Sequence, residues 1–393
     1  MSAPVYLDHA STTPVDPRVA QRMAEVLSAE SQFGNPSSSS HSFGDEAAAL
    51  VESARKQVGV AVGCSADDVL WTSGATEANN LAIFGVAQYY RESRRHIVTA
   101  RTEHKAVLDP CRELERRGWK VTYLVPDREG LLDPGQVADA LQPDTVLVSV
   151  MHVNNEIGVV QNIPAIAAVC AQHGAWLHVD AAQSVGKCPV HFSSFGADLM
   201  SLSAHKVYGP KGVGALIVAR RDVAEGRRSV QFTPLLFGGG QERNLRAGTV
   251  ATHQVVGMGQ AFELASTTSS IETARIAQLQ QRLWRGLAAI GGVLRNGSAV
   301  HSVPHLLNAS FEGVEGESLL AAIRPHLALS TGSACTSALG EPSYVLRALG
   351  RSERLSESSL RFGLGRSTTV ADIEMAVAVL SREVSRLRKV AGT

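Results

Sequence analysis

Residues 176–212 read WLHVDAAQSVGKCPVHFSSFGADLMSLSAHKVYGPKG and contain two short β-rich runs that each end in polar residues. The first run ends at Asp180, and the second ends at Ser203 with His205 and Lys206 directly after it. Strands that alternate with helices favour a mostly parallel sheet. Ligands of such sheets bind outside the carboxyl ends of the strands, so we expect a site where these two runs end.

The alternation of strand and helix continues on both sides of this stretch. Strands are predicted at HIVTA, KVTYLV, DTVLVSV and GALIVA, and helical segments such as IPAIAAVCAQHG separate them. This order is typical of an α/β fold in which helices cover both faces of the sheet.

The pattern changes after about residue 262. An apolar stripe at helical spacing runs through 271–290 and is long enough to link two domains. Shorter strands follow at LLNASFEGV, HLALSTG and SLRFGLG, before a final amphipathic helix. A chain of 393 residues is too long for one small core. We therefore expect a large domain over residues 15–262 and a smaller α/β domain from residues 1–14 and 263–393.

Composition excludes few partners but sets a compartment. Lysine plus arginine and aspartate plus glutamate both number 37, so the zero net charge gives no support to nucleic-acid or membrane binding. The cysteines (Cys64, Cys111, Cys170, Cys188 and Cys335) show no C-x-x-C pair and no metal spacing, as is typical of a reducing cytosol. With no targeting pattern and no apolar run near the roughly 20 residues of a membrane span, we expect a cytoplasmic protein without a bound metal.

The two strand ends carry the residues that a pyridoxal phosphate site requires. Asp180 is followed about 25 residues later by Lys206, beside a hydroxyl residue and a histidine. The lysine amine forms a Schiff base with the cofactor aldehyde, the carboxylate keeps the pyridine nitrogen protonated, and short polar side chains hold the phosphate. Two alternatives stay open: Asp180 could cap a helix, and Lys211, in GPKG, could be the Schiff-base lysine. Lys206 is favoured because Ser203 and His205 flank it.

The segment TSGATEANN (72–80) follows another predicted strand. Where its helix begins, Ala75 and Thr76 expose backbone N–H groups, a geometry that binds phosphate without special side chains. The alternative is a plain helix cap with Asn79 and Asn80 on the surface.

Two more polar residues follow predicted strands. His104, in TARTEHKAV, can lie against a flat aromatic ring and move protons near neutral pH, although as one of thirteen histidines it carries little weight alone. Asn155, in MHVNNEIGVVQ, could hydrogen-bond a ring hydroxyl, and the alternative there is an Asn turn.

Many such segments occur in one order along the chain. The chain contains YLDHASTTPVDPRV, FGNPSS, WTSGATEANN, TEHKAVLDPC, HVNNEIGVVQ, HVDAAQSVGK, SAHKVYGPKGVGAL, GGGQERNLRAGT, STGSACTSA, EPSYVLRALG and SLRFGLGR. From about residue 5 to about residue 388 it resembles the cysteine desulfurases of the NifS/IscS type, within the class V aminotransferases. The resemblance implies an aspartate-aminotransferase-like, pyridoxal-phosphate-dependent fold and a homodimer. It also implies conversion of L-cysteine to L-alanine, with transfer of sulfur to an enzyme cysteine.

Carried over by motif, the resemblance implies a role for each candidate. Lys206 would be the Schiff-base lysine, Asp180 the partner of the pyridine nitrogen, and His104 the residue that stacks on the ring and moves protons. The other roles are Gln183 and Asn155 at the ring hydroxyl or substrate, Ala75, Thr76, Ser203 and His205 at the phosphate, Thr249 of RAGT at the phosphate of the partner subunit, and Arg361 of SLRFGLGR at the substrate carboxylate, assisted by Asn35 of FGNP.

The segment STGSACTSALGEPS (330–343) places Cys335 among small residues, although a structural cysteine normally has apolar neighbours. As a thiolate, Cys335 would attack the substrate sulfur and carry a persulfide to an acceptor, and the small residues predict a backbone free to swing between the two tasks. The alternative is that Cys335 fills a gap as a serine would. The other cysteines are expected to be packing residues.

Other features bear on the acceptor. The long 330–343 loop resembles the branch that serves iron–sulfur scaffold and tRNA-thiolation partners. The sequence departs from the commonest pattern at His9, Ala10 and Ser11, and it ends at RLRKVAGT without the extension that helps many IscS-type members to dock a scaffold. Alternative functions are an aminotransferase or a selenocysteine or cysteine-sulfinate lyase of the same fold, which need no loop cysteine, and a sulfur-trafficking platform with residual catalysis.

Overall fold

The computed structural model describes residues 3–29, 32–220, 229–331 and 342–392. The described chain begins with the strand β1 (Val5–Tyr6) and the helices α1 (Pro17–Leu27) and α2 (Ser42–Val62). Helix α1 starts at a strong sequence signal, since Asp16 accepts a hydrogen bond from the N–H of Arg18 and a proline occupies the first turn.

A sheet of seven strands forms the centre of the molecule. Its strands are β2 (Val69–Thr72), β3 (His96–Ala100), β4 (Lys120–Leu124), β5 (Thr145–Met151), β6 (Trp176–Asp180), β7 (Leu199–Ser203) and β8 (Gly214–Val218). They lie in the order β2–β8–β7–β6–β5–β3–β4. All neighbouring pairs from β7 to β4 are parallel, and β8 runs antiparallel to both β2 and β7. The predicted α/β fold with a mostly parallel central sheet is confirmed.

Helices cover both faces of this sheet, which explains why β2, β3, β5 and β7 are buried along their whole length. The connecting helices are α3 (Ala75–Tyr90), α4 (Lys105–Arg116), α5 (Pro134–Ala140), α6 (Ile163–His173) and the short α7 (Phe192–Phe195). Apolar side chains of α3 and α4 pack on one face of the sheet. Those of α2 and α6 pack on the other.

The long helix α8 (Thr252–Ala288) leads to a second core. The elements that follow are β9 (Val293–Asn296), β10 (Leu306–Phe311), α9 (Gly316–Ile323), β11 (Leu327–Ala328), α10 (Tyr344–Ala348), α11 (Glu353–Glu357), β12 (Ser359–Gly363) and α12 (Val370–Ala391). Strands β12, β10 and β9 form an antiparallel sheet in that order, and β11 pairs with β1 in parallel. The segment HLALSTG therefore contributes a strand of only two residues.

Helix α8 belongs to both cores. Val255, Met258 and Phe262 pack with the seven-stranded sheet, whereas Ile276 and Leu283 pack with the second sheet. The predicted domain boundary at residues 262–263 thus falls inside one continuous helix, and the division into two domains stays a prediction. None of the helices in the described ranges combines the length and apolar character that crossing a bilayer requires.

Candidate active site

A cavity of about 550 Å³ opens where β5, β6 and β7 end and where α3 and α4 begin. Its volume is in the range of small-molecule sites, and its place follows the rule for parallel sheets. Most of the predicted site residues line it: Ala75, Thr76, His104, Asn155, Asp180, Gln183, Ser203, His205, Lys206 and Arg361.

Two predicted site residues within the described ranges, Asn35 and Thr249, do not line this cavity. Asn35 is exposed, and its Oδ1 accepts a hydrogen bond from the N–H of Ser37 at 3.0 Å. Thr249 is also exposed, and because its predicted role concerns the cofactor of a partner subunit, that role stays a prediction. Cys335 lies outside the described residues.

Asp180 ends β6 at the floor of the cavity and is buried. Its Oδ2 accepts a hydrogen bond from Asn79 Nδ2 at 2.7 Å, and its Oδ1 accepts one from the N–H of Ala182 at 3.0 Å. Asn79 lies one helical turn after Ala75 in α3 and is buried, so the alternative that placed it on the surface is wrong. Two donors from different elements therefore fix the orientation of the carboxylate.

The first turn of α3 forms one wall. Gly74, the residue before the helix, has φ 151° and ψ 177°, a conformation essentially restricted to glycine, and it offers no side chain to cap the helix. The N–H groups of the first turn, including those of Ala75 and Thr76, are thus available to an anion. Glu77, in the same turn, is neutralised locally by Arg246 at 2.8 Å. Burial alone would raise the pKa of Glu77, but hydrogen bonds from Arg246 and Ser73 outweigh burial and lower that pKa.

His104 is the N-cap of α4. Its Nδ1 accepts a hydrogen bond from the N–H of Ala106 at 3.1 Å, so this nitrogen carries no proton. Burial and then the nearby charge of Lys206 lower the pKa of His104. The imidazole is therefore neutral at pH 7 with its proton on Nε2, and Nε2 is the only ring nitrogen that can exchange a proton without breaking the cap.

Both candidate lysines line the cavity, but their surroundings differ. Lys206 is half-buried and Lys211 is exposed. The charge of Lys206 lowers the pKa of both His104 and His205. The charge of Lys211 contributes to the lowered pKa of His205 but not to that of His104. Burial first, and then these lysines, lower the pKa of His205 to about 4. These differences agree with the choice of Lys206 over Lys211 as the Schiff-base lysine, which stays a prediction.

Arg361, on β12, brings the second sheet to the cavity. Its Nη1 donates to the backbone carbonyl of Asn155 at 2.9 Å, and its Nη2 donates to Asp8 Oδ1 at 2.9 Å and to Ser11 Oγ at 2.6 Å. Within the described ranges, Arg361 Nε and Asn155 Oδ1 are buried atoms without a hydrogen-bond partner. These unsatisfied polar atoms indicate that a polar ligand completes the site.

Sequence reasoning missed two buried acids beside the predicted residues. Glu103 precedes His104; its Oε1 accepts from the N–H of Met151 at 2.9 Å, and burial raises its pKa well above the usual range. Glu156 follows Asn155; its Oε2 accepts from Ser343 Oγ at 2.5 Å, and burial raises its pKa to about 7. Their adjacency to site residues at strand ends was the only signal in the sequence.

Tyr344 was also missed, although it lines the cavity. Its hydroxyl donates to the backbone carbonyl of Glu103 at 2.8 Å. Together with Ser343, it attaches the start of α10 to the two segments that carry His104 and Asn155. A tyrosine beside a serine at the start of a short helix gives no sign in the sequence of such long-range contacts.

The residues present fit pyridoxal phosphate, the cofactor that the resemblance implies. The first turn of α3, with Ser203 and His205, would hold the phosphate. Asp180 would face the pyridine nitrogen, and Lys206 would reach the aldehyde. The unpartnered Asn155 Oδ1 and Arg361 Nε leave polar atoms for the ring hydroxyl and for the substrate. An anion cradle, a carboxylate and an amine in one cavity are the three groups that this cofactor needs.

Comparisons with known proteins agree with this site. Residues 5–375 match the family model described as aminotransferase class-V. A protein named cysteine desulfurase IscS, from Methylococcus capsulatus, is 53% identical over 390 residues, which cover 99% of this chain and 94% of that protein. Among solved structures, a NifS-like protein superposes with a TM-score of 0.89 at 31% identity, covering 98% of this chain and 100% of the other. A structure described as SspA in complex with cysteine has a TM-score of 0.80 at 36% identity, covering 91% of this chain and 98% of that one.

The match to the family model and the identity to the curated relative both extend over nearly the whole chain. They agree with the mostly parallel sheet and with the anion cradle, carboxylate and lysine at its edge. The chain belongs to the class-V aminotransferase family and, within it, to the cysteine desulfurases of the NifS/IscS type, which are pyridoxal phosphate enzymes.

Proposed function

We propose that this protein removes sulfur from L-cysteine, releases L-alanine, and transfers the sulfur to Cys335 as a persulfide for delivery to an acceptor. The observation that carries the proposal is a single cavity in which Asp180, Lys206, His104 and Arg361 meet. The similarity of the chain to a protein named cysteine desulfurase, and to a structure described as a complex with cysteine, supports this choice of substrate.

When bound, pyridoxal phosphate withdraws electrons from the α-carbon of an amino acid, which makes its proton acidic and loosens the bonds around it. The protein has to hold that group and orient the substrate. Asp180 is suited to hold the ring nitrogen because Asn79 and Ala182 already fix its carboxylate. The helix α3 contributes its N-terminal turn, which favours a doubly charged phosphate.

Arg361 is suited to bind the substrate carboxylate. Its two terminal nitrogens, Nη1 and Nη2, donate to the carbonyl of Asn155, to Asp8 and to Ser11, and these hydrogen bonds fix the orientation of the guanidinium. Nε has no partner among the described residues and can donate to a carboxylate that approaches from the cavity. A guanidinium fixed in this way offers its charge and its Nε–H donor to a carboxylate in one orientation.

Proton transfer falls to Lys206 and His104. The lysine amine is suited to take the proton of the substrate α-carbon, because the same amine would reach the cofactor aldehyde. His104 is neutral and commits Nδ1 to the helix cap, so Nε2 exchanges the proton. Two such groups in one cavity can share the work of taking one proton from the α-carbon and returning it at another position.

Elimination among the thiols supports Cys335 as the sulfur acceptor. The four cysteines in the described residues are free, but burial raises the pKa of each to about 12: Cys64, Cys111, Cys170 and Cys188. A thiol with that pKa is protonated at neutral pH and is a poor nucleophile. Cys335 is the one cysteine to which this argument does not apply.

The proposal includes a homodimer. Next to the segment that carries Thr249, Leu235, Leu236 and Phe237 are exposed, Phe237 to 80%. Consecutive exposed apolar side chains are typical of a protein interface. A second copy on this surface would allow Thr249 to reach the phosphate of the partner subunit, as the resemblance implies.

The protein that would accept sulfur from Cys335 is an iron–sulfur scaffold or a thiolation relay in the cytoplasm.

The test follows labelled sulfur from cysteine onto the protein. Wild type, Cys335→Ala and Cys64→Ala are incubated with ³⁵S-cysteine, and alanine release and label on residue 335 are measured by chromatography and peptide mapping. We expect Cys335→Ala to keep the absorbance of the bound cofactor and to lose both signals, whereas Cys64→Ala behaves as wild type. Equal alanine release by Cys335→Ala would overturn the role of Cys335. Alanine release absent from wild type would favour the sulfur-trafficking platform instead.

A further inference from the structure

A buried lysine that the proposed mechanism does not use lies next to the active-site cavity. Lys187 lies in the turn after β6, four residues beyond Gln183, and is 7% exposed. Its Nζ donates a hydrogen bond to Gln183 Oε1, and Gln183 Nε2 donates to the backbone carbonyl of Ala10 at 2.8 Å. Because an ammonium only donates, this contact fixes which end of the Gln183 amide faces Lys187.

Lys187 is also a close neighbour of Lys206. Both residues line one small cavity of about 20 Å³ beneath the active site, together with His9 and His305. Burial, and then the charge of Lys206, lower the pKa of Lys187 to about 7. Electrostatic interaction is mutual, so the charge of Lys187 disfavours a proton on the nitrogen of Lys206 to the same extent.

The other groups around Lys187 do not neutralise it. Those that interact with it are Arg361, Cys188, His9, His205 and His305. Two acids of this region are already engaged: Asp8, which acts on the charge of His9, pairs with Arg361, and Glu272, which lines the same small cavity, pairs with Arg366. No carboxylate of the described residues forms an ion pair with Lys187, so none of them offsets its charge when it is protonated.

We propose that Lys187 is a positioning residue: its Nζ holds the Gln183 amide in one orientation and places a second amine beside Lys206, so that the two nitrogens compete for protonation. This inference rests on the proposed function only for the identity of Lys206 as the reacting amine. A lysine next to another cationic group is kept in the neutral, reactive form at lower pH. Lys187 would serve Lys206 in this way.

The test measures protonation at Lys206 in the holoenzyme, without turnover. The absorbance of the bound cofactor is titrated between pH 5 and 10 in wild type, Lys187→Met, Lys187→Gln and Lys187→Arg, and melting temperatures are recorded in parallel. Methionine removes the charge and the donor, glutamine removes the charge but keeps an N–H donor for Gln183, and arginine keeps the charge.

We expect the midpoint of the titration to rise by about half a pH unit or more in Lys187→Met and Lys187→Gln, because a repelling charge has gone. The wild-type curve should be broader than a one-proton curve, since two groups exchange protons in the same range, and both neutral variants should restore one-proton steepness. Lys187→Arg should have a midpoint no higher than that of wild type.

Equal midpoints and slopes in wild type and the neutral variants would overturn the proposal. If only Lys187→Arg retains the cofactor, the charge itself is required, which supports it; loss of the cofactor in all three variants would assign Lys187 a packing role and overturn it. These outcomes are independent of whether wild type releases alanine from cysteine, which tests the proposed function alone.

Discussion

The side-chain amide of Asn79 donates a hydrogen bond to Asp180 Oδ2 at 2.7 Å, across 101 residues of sequence. The contact joins the helix that offers its N-terminus to an anion with the strand that offers its carboxylate to the ring. The two halves of the expected cofactor site are therefore held in register by one hydrogen bond between buried atoms.

Replacing Asn79 with alanine should loosen this register. Hydrogen bonds to a charged group contribute about 1.5–3 kcal/mol, so we expect Asn79→Ala to weaken cofactor binding by roughly tenfold or more. Equilibrium titration of the cofactor-free protein with pyridoxal phosphate measures the change. The control is Asn80→Ala, whose side chain reaches only the carbonyl of Thr76 in its own helix. Equal affinities of the two variants would contradict the prediction.

Replacing His104 should separate its role as a cap from its role in proton transfer. Asparagine is a good N-cap without a titratable ring, whereas alanine is a poor one. We expect both His104→Asn and His104→Ala to release alanine about 100-fold more slowly than wild type. Only His104→Ala should lose stability, by about 1 kcal/mol in urea unfolding. Near-normal alanine release by His104→Asn would show that Nε2 moves no proton.

Glu156 makes stability depend on pH in a defined direction. Burial raises its pKa from 4.5 to about 7, so the folded state binds this proton more tightly than the unfolded state. The stabilising effect of that proton is complete below pH ~4.5 and is lost as pH rises through ~7. We expect Glu156→Gln, which still accepts from Ser343, to match wild type in unfolding free energy near pH 4.5. At pH 8.5 it should exceed wild type by up to about 3 kcal/mol. A pH-independent difference would contradict this assignment.

Glu242 holds a strained turn in place. Glu242, Arg243 and Asn244 have φ of 45°, 59° and 63°, consecutive left-handed conformations that are unfavourable for side chains with a Cβ. The Glu242 carboxylate is buried, binds Arg55 at 2.8 Å and accepts the N–H of Trp71 at 2.8 Å. This turn leads directly into the segment that carries Thr249.

Removing one partner of this pair should cost about 3–5 kcal/mol, because it leaves a buried charge alone. We expect Arg55→Met and Glu242→Leu each to show this loss in urea unfolding, and the double variant to lose clearly less than the sum. The exposed pair of Arg112 and Asp109 provides the control, since Arg112→Met should change stability by less than about 1 kcal/mol. Additive losses would show that the two charges do not stabilise each other.

Much of the candidate site could be predicted because its residues follow strands directly. Asp180, Ser203 and His104 each follow or end a β-rich run, and in a parallel sheet such positions converge at one edge. The sequence order alone therefore brought the polar groups together. Arg361 was assigned only through the resemblance, because it lies in the middle of β12 in a different sheet.

The buried supporting residues could not be predicted, because burial of a charged side chain depends on elements far away in sequence. Lys187 and Glu156 are ordinary charged residues in their local sequence, and only the packed structure removes them from water. The sequence predicted a helical stripe only over residues 271–290, whereas α8 begins at Thr252, and this difference also depends on packing between distant elements. The first half of α8 contains Gly257 and Gly259, poor helix formers, and Gly259 is needed because a Cβ there would meet Ala54 Cα of α2 at 2.8 Å.

Helix α8 connects the two cores that supply the candidate site. The part of the fold that carries Arg361 belongs to the core around Leu283, and the part that carries Lys206 belongs to the core around Met258. Between them, Ser266 and Thr268 turn their hydroxyls back to carbonyls of the same helix. Deleting a single residue from this stretch of α8 would rotate the two ends of the helix, and the cores attached to them, by about 100° against each other. The distance between Arg361 and Lys206, which a bound amino acid would have to span, therefore depends on the uninterrupted length of α8 between the two cores.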